Sequence, residues 1–256
     1  MASSLVRGKY VISKVTGPNS AVVISDGAVL QQDGLIIEVG EYQDLRSRYP
    51  DEEVIGSSNY VVMPGLVNDH FHVGLTPFQL GAPDLPLEMW SLARIGTRSI
   101  DPYLDQLYGA VQMIESGTTT VQAIHSAGRG VAPVDLGVAD KVVKAYQDSG
   151  MRVSYAPSIA DQNSMVAGAG GGEEEFASRM PGDLAERYRS FMARSYWPVA
   201  DVMPVLEEIC AKYGNNRHER VQVVMAPSNV HRCTDEMLVA LKEMATRHAT
   251  GIHIHL

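Results

Sequence analysis

The segment MPGLVNDHFH, residues 63–72, constrains this chain more than any other. A Pro-Gly pair opens an apolar run that closes on two histidines, His70 and His72, spaced two apart. Side chains alternate along a strand, so period-2 geometry puts both imidazoles on one face, a few ångströms apart. Two imidazoles so placed can chelate a cation. They can also be two ordinary strand histidines, but the Pro-Gly entry, the apolar run and the HxH at its C-terminal end together favour the metal.

The flanking sequence frames that segment. Residues 1–62 read as a small β-rich composite module, a sandwich of short strands: VRGKYVIS, then SAVVISDGAVLQQDGLIIEVG, then YVVMP. Asp26-Gly27 and Asp33-Gly34 stand between apolar runs at hairpin spacing, and both pairs tolerate the positive φ of tight turns. Residues 63–256 change texture to strands alternating with helical patterns, as expected for βα units forming a parallel sheet or barrel. VVMPGLVND is the first strand. The helix-like DPYLDQLYGAVQMIESG leads to TTTVQAI, and VADKVVKAYQDSG to MRVSYAPSIA. Two further helices, within DLAERYRSFMARSYW and ADVMPVLEEICAKYG, precede the strand RVQVVMAP. The helix TDEMLVALKEMATRH and a fifth strand, TGIHIHL, complete the order. Gly117 and Gly150 stand where helices end, as left-handed caps. MVAGAGGGEEEF, residues 165–176, reads as a mobile loop, with a lid as the alternative.

The bulk properties narrow the function classes. At 45% hydrophobic and 20% charged, the chain has a globular composition. A net charge of −9 removes the basic footprint that nucleic-acid binding needs. About 18 apolar residues in a row would suggest a membrane span, and a shorter N-terminal run a signal peptide; neither is found, and a cytoplasmic protein is expected. Cys210 and Cys233 form no CxxC pair and read as reduced, buried thiols. Dinucleotide, P-loop and serine-hydrolase motifs are lacking.

MPGLVNDHFHVG resembles the signature that opens the barrel in the amidohydrolase superfamily, and its place after some 60 β-rich residues is similar to the cytosine-deaminase and chlorohydrolase branch. LPLEMW at 85–90, ESGTTTV at 115–121, VVMAPSNVHRCTDEML and GIHIHL resemble further segments in register. The resemblance implies an α/β fold: a distorted TIM (β/α)8 barrel, with strands one to five in this chain, behind the N-terminal β-sandwich module. It implies a metal held by His70, His72 and, ending strand five, His255, with His253 the open alternative for that last place. The family's acid/base Glu would fall two positions beyond Leu256, so no catalytic residue is expected here. A barrel takes about 250 residues, so a truncated parent protein is expected.

Two-metal members carry a Lys on strand four, and VQVVMAP has none. One divalent cation is therefore expected, zinc ahead of iron. The implied chemistry is attack of a metal-activated hydroxide on an sp² carbon, cleaving a C–N or related bond in a small cyclic, heteroaromatic, amide or urea substrate. The rival reading is a non-catalytic fragment or split-barrel subunit; a homo-oligomer is compatible with either. Ser228-Asn229 stands where many aminohydrolases of the branch have a His after the Pro, which disfavours purine-nucleoside-like deamination. These two residues could bond substrate or cap the helix near Thr234. His125, ending strand two, is a substrate or nearby supporting candidate against a surface histidine, and His231 a weaker one. Trp90, with Met89, could wall the pocket or pack in the core. His218 and His248 read as solvated.

Overall fold

The computed structural model describes residues 3–72, 74–75, 79–86, 89–90, 93, 100–126, 134–163, 166, 172–214 and 220–255. The contacts within the chain separate into two compact units, Met1–Gly65 and Leu66–Leu256.

In the first unit, β1 (Ser3–Gly17), β2 (Ser20–Gln32), β3 (Leu35–Glu41) and β4 (Glu53–Val62) form one sheet in the order β3-β2-β1-β4, with α1 (Tyr42–Arg48) after β3. The two hairpin pairs are antiparallel, while β1 and β4 run parallel. Leu5, Ala28, Leu30 and Leu45 make the small core. Asp33 (φ 51°) and Gly34 (φ 82°) close the two-residue β2–β3 turn as expected. Asp26-Gly27 does not form a hairpin. Both residues continue β2, with Asp26 at φ 44° and bonded to Arg7 Nε at 2.9 Å. The glycine serves close packing, since a Cβ at Gly27 would stand 2.8 Å from Val11 Cγ2. The expected strand VVMPGLVND is also divided. Val61 and Val62 end β4, and the next strand begins at Leu66, because Pro64 offers no N–H to carry a ladder onward.

The second unit is α/β. β5 (Leu66–Phe71), β6 (Thr118–His125), β7 (Arg152–Ile159) and β8 (Val221–Val223) are parallel neighbours in that order, and β9 (Ala226–Pro227) pairs with β7 further along. Strand four of the sequence reading is thus broken at Val224-Met225. The fifth strand is held by two parallel bridges, Met225 to Ile252 and Asn229 to His255.

Helices α2 (Pro102–Glu115), α3 (Leu136–Ser149), α4 (Gly172–Ser178), α5 (Leu184–Ser195), α6 (Val199–Tyr213) and α7 (Asp235–Arg247) connect the strands. Asp101 caps α2 through Tyr103 N, with Pro102 in the first turn where a missing N–H costs nothing. Gly117 (φ 81°) and Gly150 (φ 79°) follow α2 and α3 in the left-handed conformation. Val121, Ala123, Val153 and Tyr155 pack on the helices, whereas Ile124, Ala156, Val224 and Ala226 cluster separately. Burial on both faces is the condition of a parallel sheet between layers.

Glu173–Glu175, read as loop, lie in α4. Carboxylates suit a helix N-terminus, and each of the three has a partner: Tyr196 Oη donates to Glu173 at 2.5 Å, Arg189 Nε to Glu174 at 2.9 Å, and Arg179 pairs with Glu175. The remainder of that expected loop lies mostly outside the described residues. Among the described residues, no helix is long and apolar enough to cross a membrane.

Candidate metal centre

Three imidazoles converge at the ends of the parallel strands. His70 is the penultimate residue of β5, its backbone N–H bonded to Asn68 Oδ1 (3.2 Å), and a register irregularity between Asn68 and Phe71 shapes that end. His72 Nε2 lies 3.1 Å from His70 Nε2 and 3.2 Å from His255 Nε2. One ligand atom from each ring falls within 4.8 Å of the other two.

His255 is oriented twice by one carbonyl. Ser228 O accepts from its backbone N (3.2 Å) and lies 2.8 Å from its Nδ1. That second contact requires the proton on Nδ1, which leaves the Nε2 lone pair directed at His70 and His72. The donor set fits a divalent cation: a tetrahedral ion with Zn–N bonds near 2.05 Å separates its nitrogen ligands by about 3.3 Å. His253 stands beside the cluster, its ring 5.4 Å from His70 and 6.0 Å from His255. Burial, then the neighbouring His70 and His255, push its pKa below the ordinary value.

The other candidates are placed differently. His125 ends β6, and strand alternation carries it to the helix-packed face shared by Val121 and Ala123. Its Nδ1 is buried without a hydrogen-bond partner among the described residues. Burial outweighs the charge of Asp105 and pushes its pKa down to about 4, so the ring is neutral at pH 7. Ser228 and Asn229 do not cap α7. Thr234 does so itself, accepting from Met237 N at 3.2 Å, while Ser228 Oγ donates to Asn229 Oδ1. His231 lies in the 3-10 turn Val230–Arg232, and its carbonyl accepts from Asn163 Nδ2 at 3.1 Å.

Trp90 donates its backbone N–H to Pro86 O, and Met89 is exposed. His248, which follows α7, is not simply solvated, because its Nε2 lies 2.8 Å from Glu207 Oε1 of α6. His218 lies outside the described residues. Cys210 and Cys233 are free and buried, and desolvation pushes both thiols up to about 11. The Ser228 carbonyl was not a sequence candidate; a main-chain acceptor has no residue-type signal, and only its place opposite the HxH of strand five could have suggested it.

The amidohydrolase family model matches residues 61–256, and the imidazolonepropionase-like composite domain of bacteria matches residues 27–51. The chain is 28% identical to a 5'-deoxyadenosine deaminase of Methanosarcina barkeri, an alignment covering 100% of this chain and 49% of that one. Among solved structures, the triazine hydrolase from Arthobacter aurescens has a TM-score of 0.69 at 20% identity, covering 100% of this chain and 53% of the other. An adenosine deaminase from Xanthomonas campestris with bound zinc gives 0.62 at 20% identity, covering 98% and 48%. The chain spans about half the length of the curated relatives it matches.

Proposed function

Because the chain belongs to the amidohydrolase family, which is metal-dependent, we propose that the intact protein hydrolyses a C–N bond at an sp² carbon of a small heteroaromatic or cyclic substrate. The observation that carries this reading is the convergence of three imidazoles, with His72 Nε2 3.1 Å from His70 Nε2 and 3.2 Å from His255 Nε2 and all three ligand atoms within 4.8 Å of one another. We assign zinc to it, with iron the alternative, since neutral imidazoles suit both. When bound, such a cation supplies a Lewis acid and lowers the pKa of a coordinated water to about 7.

The chain's own residues hold and orient. His70 and His72 present two nitrogens from one strand end, and Ser228 O keeps the His255 proton on Nδ1. Asn229 and Ser228 stand next to the bridge that carries His255, so their side chains are our candidates for bonding a substrate carbonyl or ring nitrogen. His125, Trp90 and His231 remain secondary candidates. The two buried thiols support a reducing, cytoplasmic setting.

The test is metal analysis of the full-length protein with and without His70→Ala, beside ammonia release from a panel of amino-substituted heteroaromatics. Stoichiometric zinc or iron, lost together with turnover in the variant, is expected. Full metal retention in His70→Ala would refute the ligand set.

A further inference from the structure

The buried polar groups of α2 perform a task that core packing does not require. Asp105 and Gln106 face inward beside Ala110 and Met113, with Gln106 fully buried and Asp105 nearly so. A carboxylate there is costly unless hydrogen-bonded. Asp105 Oδ1 accepts from Leu75 N at 2.8 Å, and Oδ2 accepts from Gly74 N at 3.2 Å and from Gln106 Nε2 at 3.1 Å. Gln106 Oε1 accepts in turn from the buried Tyr146 Oη at 2.8 Å. A connected chain therefore runs from α3 through α2 to the backbone two and three residues beyond His72.

Steric fit draws the same elements together. A Cβ at Gly74 would stand 1.7 Å from the Asp105 carbonyl oxygen, and one at Gly109 would stand 2.6 Å from the Phe71 ring. Phe71 is the residue between the two histidines. Helix α2 thus meets the HxH segment at Phe71 and ties down its continuation at Gly74 and Leu75.

We propose that Asp105 is a positioning residue of the metal centre, its buried carboxylate fixing the backbone after His72 so that the imidazole presents Nε2 to His70 and His255. This rests on the metal-centre reading above. A charged acceptor bonds about twice as strongly as a neutral one. An Asn at this position could accept from only one side and would turn its amide N–H toward a backbone N–H.

The test compares zinc affinity, by competition with a chromophoric chelator, and thermal midpoint in the full-length wild type, Asp105→Asn, Tyr146→Phe and Leu206→Ala. Leu206 is a fully buried core residue of α6 and serves as the control for destabilisation alone. Asp105→Asn is expected to weaken zinc binding by about tenfold. Tyr146→Phe should weaken it by about threefold, the scale of one neutral hydrogen bond. Leu206→Ala should lower the midpoint and leave zinc affinity near wild type.

Unchanged affinity in Asp105→Asn, or an equal loss in Leu206→Ala, overturns the proposal. If Asp105→Asn does not fold, Tyr146→Phe decides: affinity no weaker than in Leu206→Ala overturns it. A wild type that takes up no zinc strikes the metal-centre reading and this inference together, whereas zinc-loaded wild type with an unchanged Asp105→Asn strikes this inference alone.

Discussion

The sheet of the first unit and the parallel sheet of the second use strands to opposite ends. In the first, β1 to β3 meander, so strand ends are consumed by turns such as Asp33-Gly34. In the second, β5 to β8 all point one way, so their C-terminal ends lie along the same side of the sheet. His72 and His255, far apart in the chain, meet at 3.2 Å for that reason. Direction of pairing, more than strand content, decides where a chain can assemble a site.

The contrast can be broken most forcefully at a ligand. His255→Ala should reduce bound zinc from about one ion per chain toward none, by metal analysis, since two imidazoles hold the ion far less well than three. Next is Gly74→Ala, whose new methyl group meets backbone rather than a movable side chain. A loss of about 3 kcal/mol by denaturant unfolding is expected, with zinc weakened as well. A wild-type midpoint would show that α2 and the HxH segment are not as closely joined as described.

Acid should act on the second unit at nearly the same scale. His125 titrates near 4 folded and near 6.5 unfolded, so below pH 6.5 the unfolded chain takes up a proton that the folded chain refuses. Stability is lost as pH falls from 6.5 to 4, by about 3 kcal/mol in total. His125→Met should flatten that part of the stability profile, and an unaltered slope would remove His125 as its source. The smallest effect is expected in the first unit. Gly34→Ala, at φ 82°, should cost about 1 kcal/mol and leave zinc content unchanged.

What was legible in the sequence was local. His70 and His72 are two residues apart, so strand periodicity alone puts them together, and the Gly117 and Gly150 caps follow from one-residue rules. The misreadings came where a local rule permits several outcomes. Asp26-Gly27 has the chemistry of a hairpin turn, yet positive φ is only a requirement of such a turn, and here it serves a continuing strand. Glu173 and Glu174 carry no local sign of helix, because Arg189 and Tyr196, which neutralise or bond them, are a helix away. Asp105 has no local signal for the same cause: a carboxylate near a helix start reads as a solvated first-turn residue until Gly74 and Leu75 are folded onto it.

One consequence concerns how such a protein can change over generations. Since His255 is held by the carbonyl of Ser228, every residue that tolerates the same backbone supplies the same acceptor. The side chain at 228 is thereby released to drift, and lineages can exchange it for new substrate preferences without renegotiating the metal.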